Sequence, residues 1–319
     1  MRFRVKSRKQ ACFNYPRKEG SFIFSKRESA GDKIFLLCVY IFVFLIFTIV
    51  LYPLVLVLSS SISDPVFVAT GKVWFFPKGL TLMGYEKVFR DSLIMVGYRN
   101  TIFYTLTGTA LSLIITVPAG YALSKSELPG RGFFTLLFLF IMYFSGGMIP
   151  SFLLVKSLGL YNTRTVLIIL GAFSSYNCII CRTFFSTLPQ ELEDAAEIDG
   201  CSQLRAFIQV ALPISQALIG VMTLWFAVAY WNSYFTAMMY TMDEKITTLQ
   251  LVLRRILVQS LTQHDMMYEQ NQEMIAEWLA MRELIKYAVI VVSSLPLLLL
   301  YPFLQKYFVK GVMIGSLKG

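Results

Sequence analysis

The stretch TLPQELEDAAEIDGCSQLRAFIQVALP occupies residues 187–213, is rich in acidic side chains and lies between two apolar runs. Thr187 and Gln190 have the spacing of a capping box, and Pro189 is a residue type common in the first turn of a helix. Acidic residues follow early, where they complement the positive end of the helix dipole. The sequence therefore predicts a helix that begins close to Thr187.

A turn and a second helix are expected to follow. Gly200 predicts the end of the first helix in a left-handed conformation, and the second helix is expected from Ser202 to Ala211. The apolar residues predict one face on each helix, formed by Leu188, Leu192 and Ala195 in the first and by Leu204, Phe207, Ile208 and Ala211 in the second. The 187–213 segment is thus a predicted helix–turn–helix with an apolar underside.

The composition indicates an integral membrane protein. Of the 319 residues, 56% are hydrophobic and only 15% are charged, whereas about 25% of the residues of a soluble domain are charged. The net charge is +10, and 10 of the 29 Lys and Arg residues precede Ile34. Basic residues ahead of an apolar run are typical of a cytoplasmic end and of attraction to anionic lipid. This placement argues against nucleic-acid binding.

Six apolar runs are long enough to cross a bilayer as helices. They cover residues 34–58, 101–124, 133–154, 165–185, 214–240 and 287–304. The predicted fold is therefore an all-α integral membrane protein of the cell membrane, with a six-span transmembrane domain at residues 34–305.

The topology follows from the basic N-terminal arm, residues 1–33, which is expected in the cytoplasm. Six spans place the C-terminal tail, 306–319, on the same side. The 187–213 segment between the fourth and fifth spans would face the cytoplasm as well. Residues 59–99 and 243–283 are the two long external loops of this topology.

Residues suited to catalysis are scarce. Cys178 and Cys181 lie inside an apolar run, where buried structural thiols are expected rather than redox or metal chemistry. The single histidine, His264, excludes a histidine-rich metal site. No phosphate-binding loop of the Gly-x4-Gly-Lys-Ser/Thr type occurs. We therefore expect no catalytic residues, no metal site and no ATP hydrolysis by this chain, which would not be an enzyme.

The middle of the 187–213 segment resembles a known motif. Asp194-Ala195-Ala196, Asp199-Gly200 and Val210-x-Leu212-Pro213 are similar in residue type and spacing to the EAA loop of permease subunits of binding-protein-dependent ABC importers. Asp and Val here replace the Glu and Ile of the family pattern. The resemblance implies the type I ABC importer permease fold. It implies a coupling role toward an ATPase for Glu193, Asp194, Ala195, Ala196, Glu197, Asp199, Gly200, Leu212 and Pro213.

Further motifs resemble carbohydrate-type members of that family. They are residues 146–150, residues 154–160, the aromatic-Trp-Asn triplet at 230–232 and the C-terminal residues 310–319. Residues 310–319 are similar to the C-terminal tails of a subgroup that imports complex oligosaccharides. The resemblance implies a homologous second permease, two ATPase subunits that bind ATP and Mg²⁺, and an extracytoplasmic solute-binding protein. The chain itself would need no cofactor. Residues 243–283 are expected to contact the binding protein.

The expected substrate is an oligosaccharide or a sugar-acid oligomer. The alternatives are a non-sugar solute such as a polyol or glycerol phosphate or, in another class, a stand-alone secondary carrier or a membrane enzyme. The spans hold almost no ionisable residues, which disfavours a proton-coupled carrier.

A sugar pathway needs aromatic faces and uncharged polar groups. The fifth predicted span supplies both, and its candidate pathway residues are Trp225, Tyr230, Trp231, Asn232 and Tyr234. Trp and Tyr are also enriched at membrane interfaces, so an interfacial aromatic belt is the alternative interpretation of the same residues. Asn232 favours the pathway, because an amide within a span needs a partner.

Overall fold

The computed structural model describes residues 30–262 and 272–316. The described chain is helical and contains no strand, in agreement with the predicted all-α class. Nearly all of the basic arm lies outside the described residues, as does His264. Residues 1–51 and 52–319 form two compact units. In the first unit, residues 31–51 are helical, strongly apolar and exposed along their whole length.

The helices of the first half are α1 (Ala30–Ser61), α2 (Pro65–Ala69), α3 (Met83–Arg90), α4 (Ser92–Ser124), α5 (Arg131–Tyr143), α6 (Met148–Ser157), α7 (Arg164–Ile169) and α8 (Ser175–Phe185). Those of the second half are α9 (Gln190–Ile198), α10 (Gln203–Ala206), α11 (Leu212–Ile214), α12 (Gln216–Trp231), α13 (Phe235–Tyr240), α14 (Leu249–Thr262) and α15 (Gln272–Ser316). A π-helical turn, Phe207–Ala211, and a 3₁₀ turn, Glu244–Ile246, complete the series.

Helix α4 is the central element of the second unit, where it packs against α8, α12 and α14. It begins at Ser92, well before the predicted start of the second span at residue 101. Asp91 caps it, because its carboxylate accepts hydrogen bonds from the amides of Leu93 at 2.8 Å and Ile94 at 3.2 Å. The end of the predicted external loop 59–99 is therefore part of this helix.

The length and composition of the helices identify α1 and α4 as candidate membrane spans among the described residues. Two bent pairs also qualify if each pair is counted as one span. The chain bends by 112° between α5 and α6, and by 83° between residues 203–214 and α12. Among the described residues, two to four spans thus satisfy these criteria, and the six-span count stays a prediction.

Three predicted spans are interrupted helices. Residues 144–147 separate α5 from α6, residues 170–174 separate α7 from α8, and residues 232–234 separate α12 from α13. At the second interruption the chain packs closely against Tyr230, since a Cβ atom at Gly171 would lie 2.9 Å from the Tyr230 hydroxyl. Ser174 then starts α8 by accepting a hydrogen bond from the Asn177 amide at 3.3 Å. Gly146, Gly147 and Pro150 predict the first of these breaks from the sequence, whereas the other two spans were predicted as unbroken runs.

The described part of the predicted external loop 243–283 is largely helical. It contains α14 and the start of α15, which continues without interruption through the predicted sixth span, 287–304, and into the predicted tail. Helix α14 is amphipathic, and Leu249, Val252 and Leu253 are buried against residues of α4 and α15. Burial of these apolar side chains holds this segment on the helical bundle.

Candidate functional site

The first helix of the 187–213 segment ends as the sequence predicts. Gly200 has a φ of +76°. Its amide donates to the carbonyl of Glu197 at 2.9 Å, and the amide of Cys201 donates to the carbonyl of Ala196 at 2.9 Å. These two bonds form a Schellman motif, which satisfies carbonyls at the end of the helix. The prediction of a left-handed residue at Gly200 is confirmed.

The start of that helix differs from the prediction. Helix α9 begins at Gln190 after Pro189, and no side chain caps it. The Thr187 hydroxyl instead donates to the carbonyl of Phe184 at 2.7 Å, and the Thr187 amide donates to the same carbonyl at 3.0 Å. Because these bonds close the end of α8, Thr187 is not available as a capping box for α9.

The second helix is longer than predicted and irregular. Ser202 accepts a hydrogen bond from the Arg205 amide at 3.4 Å and starts α10. The chain then passes through the π-helical turn into α11, so that Pro213 lies inside a continuous helical path. A proline has no amide hydrogen to donate, and the wider π turn accommodates the missing bond. The 83° bend follows before α12 begins at Gln216.

Only part of the predicted apolar underside is buried. Phe207 and Ala211 are buried, but Leu204 and Ile208 are exposed. Among the side chains of α9 that the structure describes, which do not include Glu193, Ala196 is buried, whereas Leu192 and Ala195 are exposed. The list of predicted inner positions is therefore corrected at four residues: Leu192, Ala195, Leu204 and Ile208. These four side chains lie on faces that the neighbouring helices do not cover, whereas Ala196, Phe207 and Ala211 lie on faces that they do.

An aromatic cluster attaches the segment to the helical bundle. The ring of Phe207 lies 4.8 Å from that of Tyr121 in α4 and 6.4 Å from that of Phe185 in α8, measured between centroids. Tyr121 and Phe185 are themselves 5.4 Å apart. All three rings are buried, so the segment is packed directly against α4 and α8.

A polar groove of about 120 Å³ lies between this segment and the turn after α4. Asp194, Glu197 and Cys201 line it from one side, and Lys125 and Glu127 line it from the other. The Lys125 ammonium lies 4.3 Å from the centroid of the Tyr121 ring. No cluster of metal-ligating side chains occurs here or elsewhere among the described residues. Two of the candidate coupling carboxylates therefore face this groove.

The outer surface of the segment carries exposed apolar side chains. Ile198 is 86% exposed and lies two residues before Gly200. Of the remaining candidate coupling residues, Asp199 and Pro213 are exposed, and Leu212 is half-buried against the aromatic cluster. Gly200 has no side chain, so another protein could approach its backbone closely and also contact the exposed Ile198.

Two of the candidate pathway residues are buried. The Tyr230 hydroxyl donates to the carbonyl of Ile168 at 2.7 Å, and its ring lies against Gly108 and Gly171. The Trp231 indole donates to the carbonyl of Ser293 at 3.0 Å, next to the Tyr98 ring. Both side chains join the interrupted helices to distant parts of the chain, which favours a supporting role for them.

The other three candidates are exposed. Trp225 is 39% exposed and lies 6.2 Å from Tyr176, ring centroid to centroid. Tyr234 is 42% exposed. The Asn232 amide donates to the carbonyl of Val228 at 3.0 Å and so occupies the end of α12. Asn232 and Tyr234 lie at the interruption between α12 and α13, whereas Trp225 lies about two turns earlier, within α12.

Two helix interruptions meet at a small cavity of about 170 Å³. Gly171 contributes from the interruption before α8, Ser233 from the one after α12, and Thr236 from the start of α13. Backbone without helical hydrogen bonds is tolerated at membrane depth where it is buried in protein or lines a water-filled cavity. In transporters such interruptions are found where substrate binds.

The comparison with protein families agrees with this geometry. Residues 94–314 match the family described as the binding-protein-dependent transport system inner membrane component. The chain belongs to this family. The match covers the helices α5 to α14, nearly all of α4 and α15, and hence the whole 187–213 segment.

Two relatives of the permease come from Bacillus subtilis (strain 168), and each is 38% identical to it. Protein LplC aligns over 298 residues, which cover 93% of the permease and 99% of LplC. The polygalacturonan/rhamnogalacturonan transport system permease protein YtcP aligns over 289 residues, 90% of the permease and 99% of YtcP. Both alignments extend beyond the family match.

A solved structure is similar to the permease along most of its length. It is the crystal structure of a bacterial ABC transporter involved in the import of the acidic polysaccharide alginate. One of its chains superimposes with a TM-score of 0.80 at 33% sequence identity, covering 89% of the permease and 100% of that chain. The similarity supports the predicted type I importer fold.

Some features of the permease have a weak signal or none in the sequence. Ile198 lies three residues after Ala195, a spacing typical of a shared helical face, so the local sequence does not indicate that its side chain is exposed. The interruption at 170–174 has a signal in the small and polar residues from Gly171 to Ser175, which are unusual in a span. The polar groove has no local signal, because its two sides are far apart in the chain.

Proposed function

We propose that this permease is one subunit of an ATP-driven importer and forms half of the translocation pathway for a carbohydrate. The observation that carries the proposal is the 187–213 segment, with its Schellman turn at Gly200, exposed Ile198 and buried aromatic attachment to α4 and α8. Such a segment provides a surface for a partner and a mechanical link to the bundle. The relatives named for polysaccharide transport support a carbohydrate substrate.

The proposed partners follow from this arrangement. Two ATPase subunits bind ATP and Mg²⁺, and one of them docks on Ile198 and Gly200. Closure of the ATPases upon ATP binding displaces the segment, and the ring cluster of Tyr121, Phe185 and Phe207 transmits the displacement to α4 and α8. A homologous second permease forms the other half of the pathway, and an extracytoplasmic binding protein delivers the substrate.

In the proposed pathway, Trp225, Asn232 and Tyr234 are the side chains that contact the sugar. Their aromatic faces stack on apolar C–H groups, and the amide of Asn232 bonds to hydroxyls. Tyr230 and Trp231 hold the interrupted helices in place. The oligosaccharide or sugar-acid oligomer passes next to the cavity between the two helix interruptions, where Ser233 supplies a further hydroxyl group.

The proposed topology has six spans with both termini in the cytoplasm, and cysteine labelling tests it. In a background without reactive native cysteines, we expect Lys78→Cys to react with a membrane-impermeant maleimide from outside. Lys125→Cys is expected to react only after the membrane is opened, because its turn adjoins the 187–213 segment. Labelling of position 125 in intact cells would contradict this orientation.

Reconstituted transport tests the function. The permease, the second permease and the ATPase subunits are placed in liposomes with ATP inside and the binding protein outside. We expect uptake of an oligosaccharide that requires both ATP and the binding protein. Uptake by the permease alone along a proton gradient would instead show a secondary carrier. Uptake of glycerol phosphate or a polyol, with no oligosaccharide transported, would show the other substrate class.

A further inference from the structure

A groove of about 440 Å³ lies between the end of α12, the helix α14 and the helix α15. Tyr234 borders it from the interruption between α12 and α13, Gln250 and Arg254 from α14, and Lys286 and Ser293 from α15. Tyr234 lies two residues after Asn232 in the chain. A second groove, about 310 Å³, lies on the other side of Arg254 and is also lined by Arg255.

The described charged side chains that line the two grooves are all positive. Arg254, Arg255 and Lys286 line them, and neither groove has an aspartate or glutamate among the lining residues that the structure describes. Two of these cations have partners at the rim. Arg255 lies 3.4 Å from a carboxylate oxygen of Glu244, and Lys286 pairs with Glu283.

Arg254 differs from the other two cations. Its guanidinium carbon lies 5.4 Å from the centroid of the Tyr234 ring, and one of its nitrogens contacts the sulfur of Met238. It forms no ion pair with a carboxylate of the described residues. The side chain is exposed, and its position between the two grooves leaves the planar guanidinium with unused donors.

We propose that Arg254 and Tyr234 bind a carboxylate-bearing sugar unit, such as a uronate, of the imported oligomer. This inference rests on the proposed function and specifies its substrate class. A guanidinium matches a carboxylate through two parallel hydrogen bonds, and an aromatic ring offers a face to the sugar. Gln250 and Ser293, which line the same groove, offer groups for the sugar hydroxyls.

The position of the groove supports a role in substrate entry. Helix α14 belongs to the segment 243–283, which is predicted to be external and to meet the binding protein. A substrate released there would encounter Arg254 before it reaches Asn232 and Ser233 at the helix interruption. A cationic site at an entrance also raises the local concentration of an anionic substrate.

The test uses the reconstituted transporter with trigalacturonate and its methyl ester as probes. Arg254→Gln is expected to reduce trigalacturonate uptake at least about tenfold, because a charge-assisted pair is lost. Arg254→Lys is expected to retain part of the uptake, since lysine keeps the positive charge but cannot form the two parallel hydrogen bonds of a guanidinium group. Arg90→Gln is the matched control, because Arg90 is an exposed arginine paired with Glu86 at 2.6 Å on α3. It is expected to transport normally.

The amount of assembled complex recovered from each variant separates binding from folding. Uptake of trigalacturonate by Arg254→Gln at the wild-type rate would overturn the inference. An equal loss of uptake for the acid and the methyl ester would also overturn the inference, and so would a loss of assembled complex in both Arg254 variants. Either result would indicate that the groove has a structural role or contacts another subunit. A wild-type transporter that imports a neutral oligosaccharide but no trigalacturonate would overturn this inference and leave the proposed function intact. Import of no carbohydrate at all would overturn both.

Discussion

Replacing Gly200 with aspartate is expected to leave a folded membrane protein that no longer retains its ATPase partner. The φ of +76° at Gly200 costs an L-residue about 1–2 kcal/mol, and aspartate is among the residues that tolerate it. A Cβ atom at this position meets nothing within 4 Å. The new side chain therefore projects from the surface, where we propose that the partner docks beside Ile198.

The measurement is the amount of ATPase that co-purifies with the permease, together with ATP-dependent uptake. We expect at least a tenfold loss of retained ATPase, since about 1.4 kcal/mol at the centre of an interface is enough for that change. Gly200→Asn is the matched variant, because it adds the same volume without charge, and it is expected to be equally defective.

A second control separates shape from charge. Glu197→Gln removes a charge from the same helix but adds no volume, and it is expected to retain the ATPase because an exposed charge contributes at most about 1 kcal/mol. A defect in Gly200→Asp alone would show that charge matters more than shape. Normal association in both Gly200 variants would exclude the docking role proposed for this surface.

The largest loss of stability is expected from Gly120→Val. Gly120 lies where α4 crosses α8, and a Cβ atom there would contact the side chain of Cys181. It would also lie 3.0 Å from the amide nitrogen of Arg182 and 3.2 Å from the carbonyl oxygen of Cys178. Backbone atoms cannot rotate away as a side chain does, so the two helices must separate. We expect a loss of about 3 kcal/mol or more.

The measurement is thermal unfolding of the purified complex, with the yield of assembled complex as a second readout. Gly132→Val is the matched control. Gly132 is also a helical glycine, in α5, and a Cβ atom there meets nothing within 4 Å. It is expected to unfold near the wild-type temperature. Equal behaviour of the two variants would contradict the tight crossing of α4 and α8.

Features that depend on composition and local contacts were predictable. The excess of apolar residues indicated a membrane protein. Gly200 ended a helix because the bonds of a Schellman motif join residues within one turn. The motif around Asp194 and Gly200 indicated the permease family, which the family comparison confirms. Cys178 and Cys181 were predicted to be buried structural thiols, and both are fully buried.

Features that depend on distant neighbours were decided by the tertiary structure alone. Tyr230 and Trp231 were read as pathway candidates from residue type, but their bonds to Ile168 and Ser293 each span 62 positions. Thr187 has the right spacing to cap α9, but its hydroxyl donates a hydrogen bond to the Phe184 carbonyl at the end of α8. Ala195 and Ala196 are identical in type, and only the contacts of α9 make the second one buried. Local sequence sets the propensity for a helix and its ends, whereas burial depends on which surfaces meet after the chain has folded.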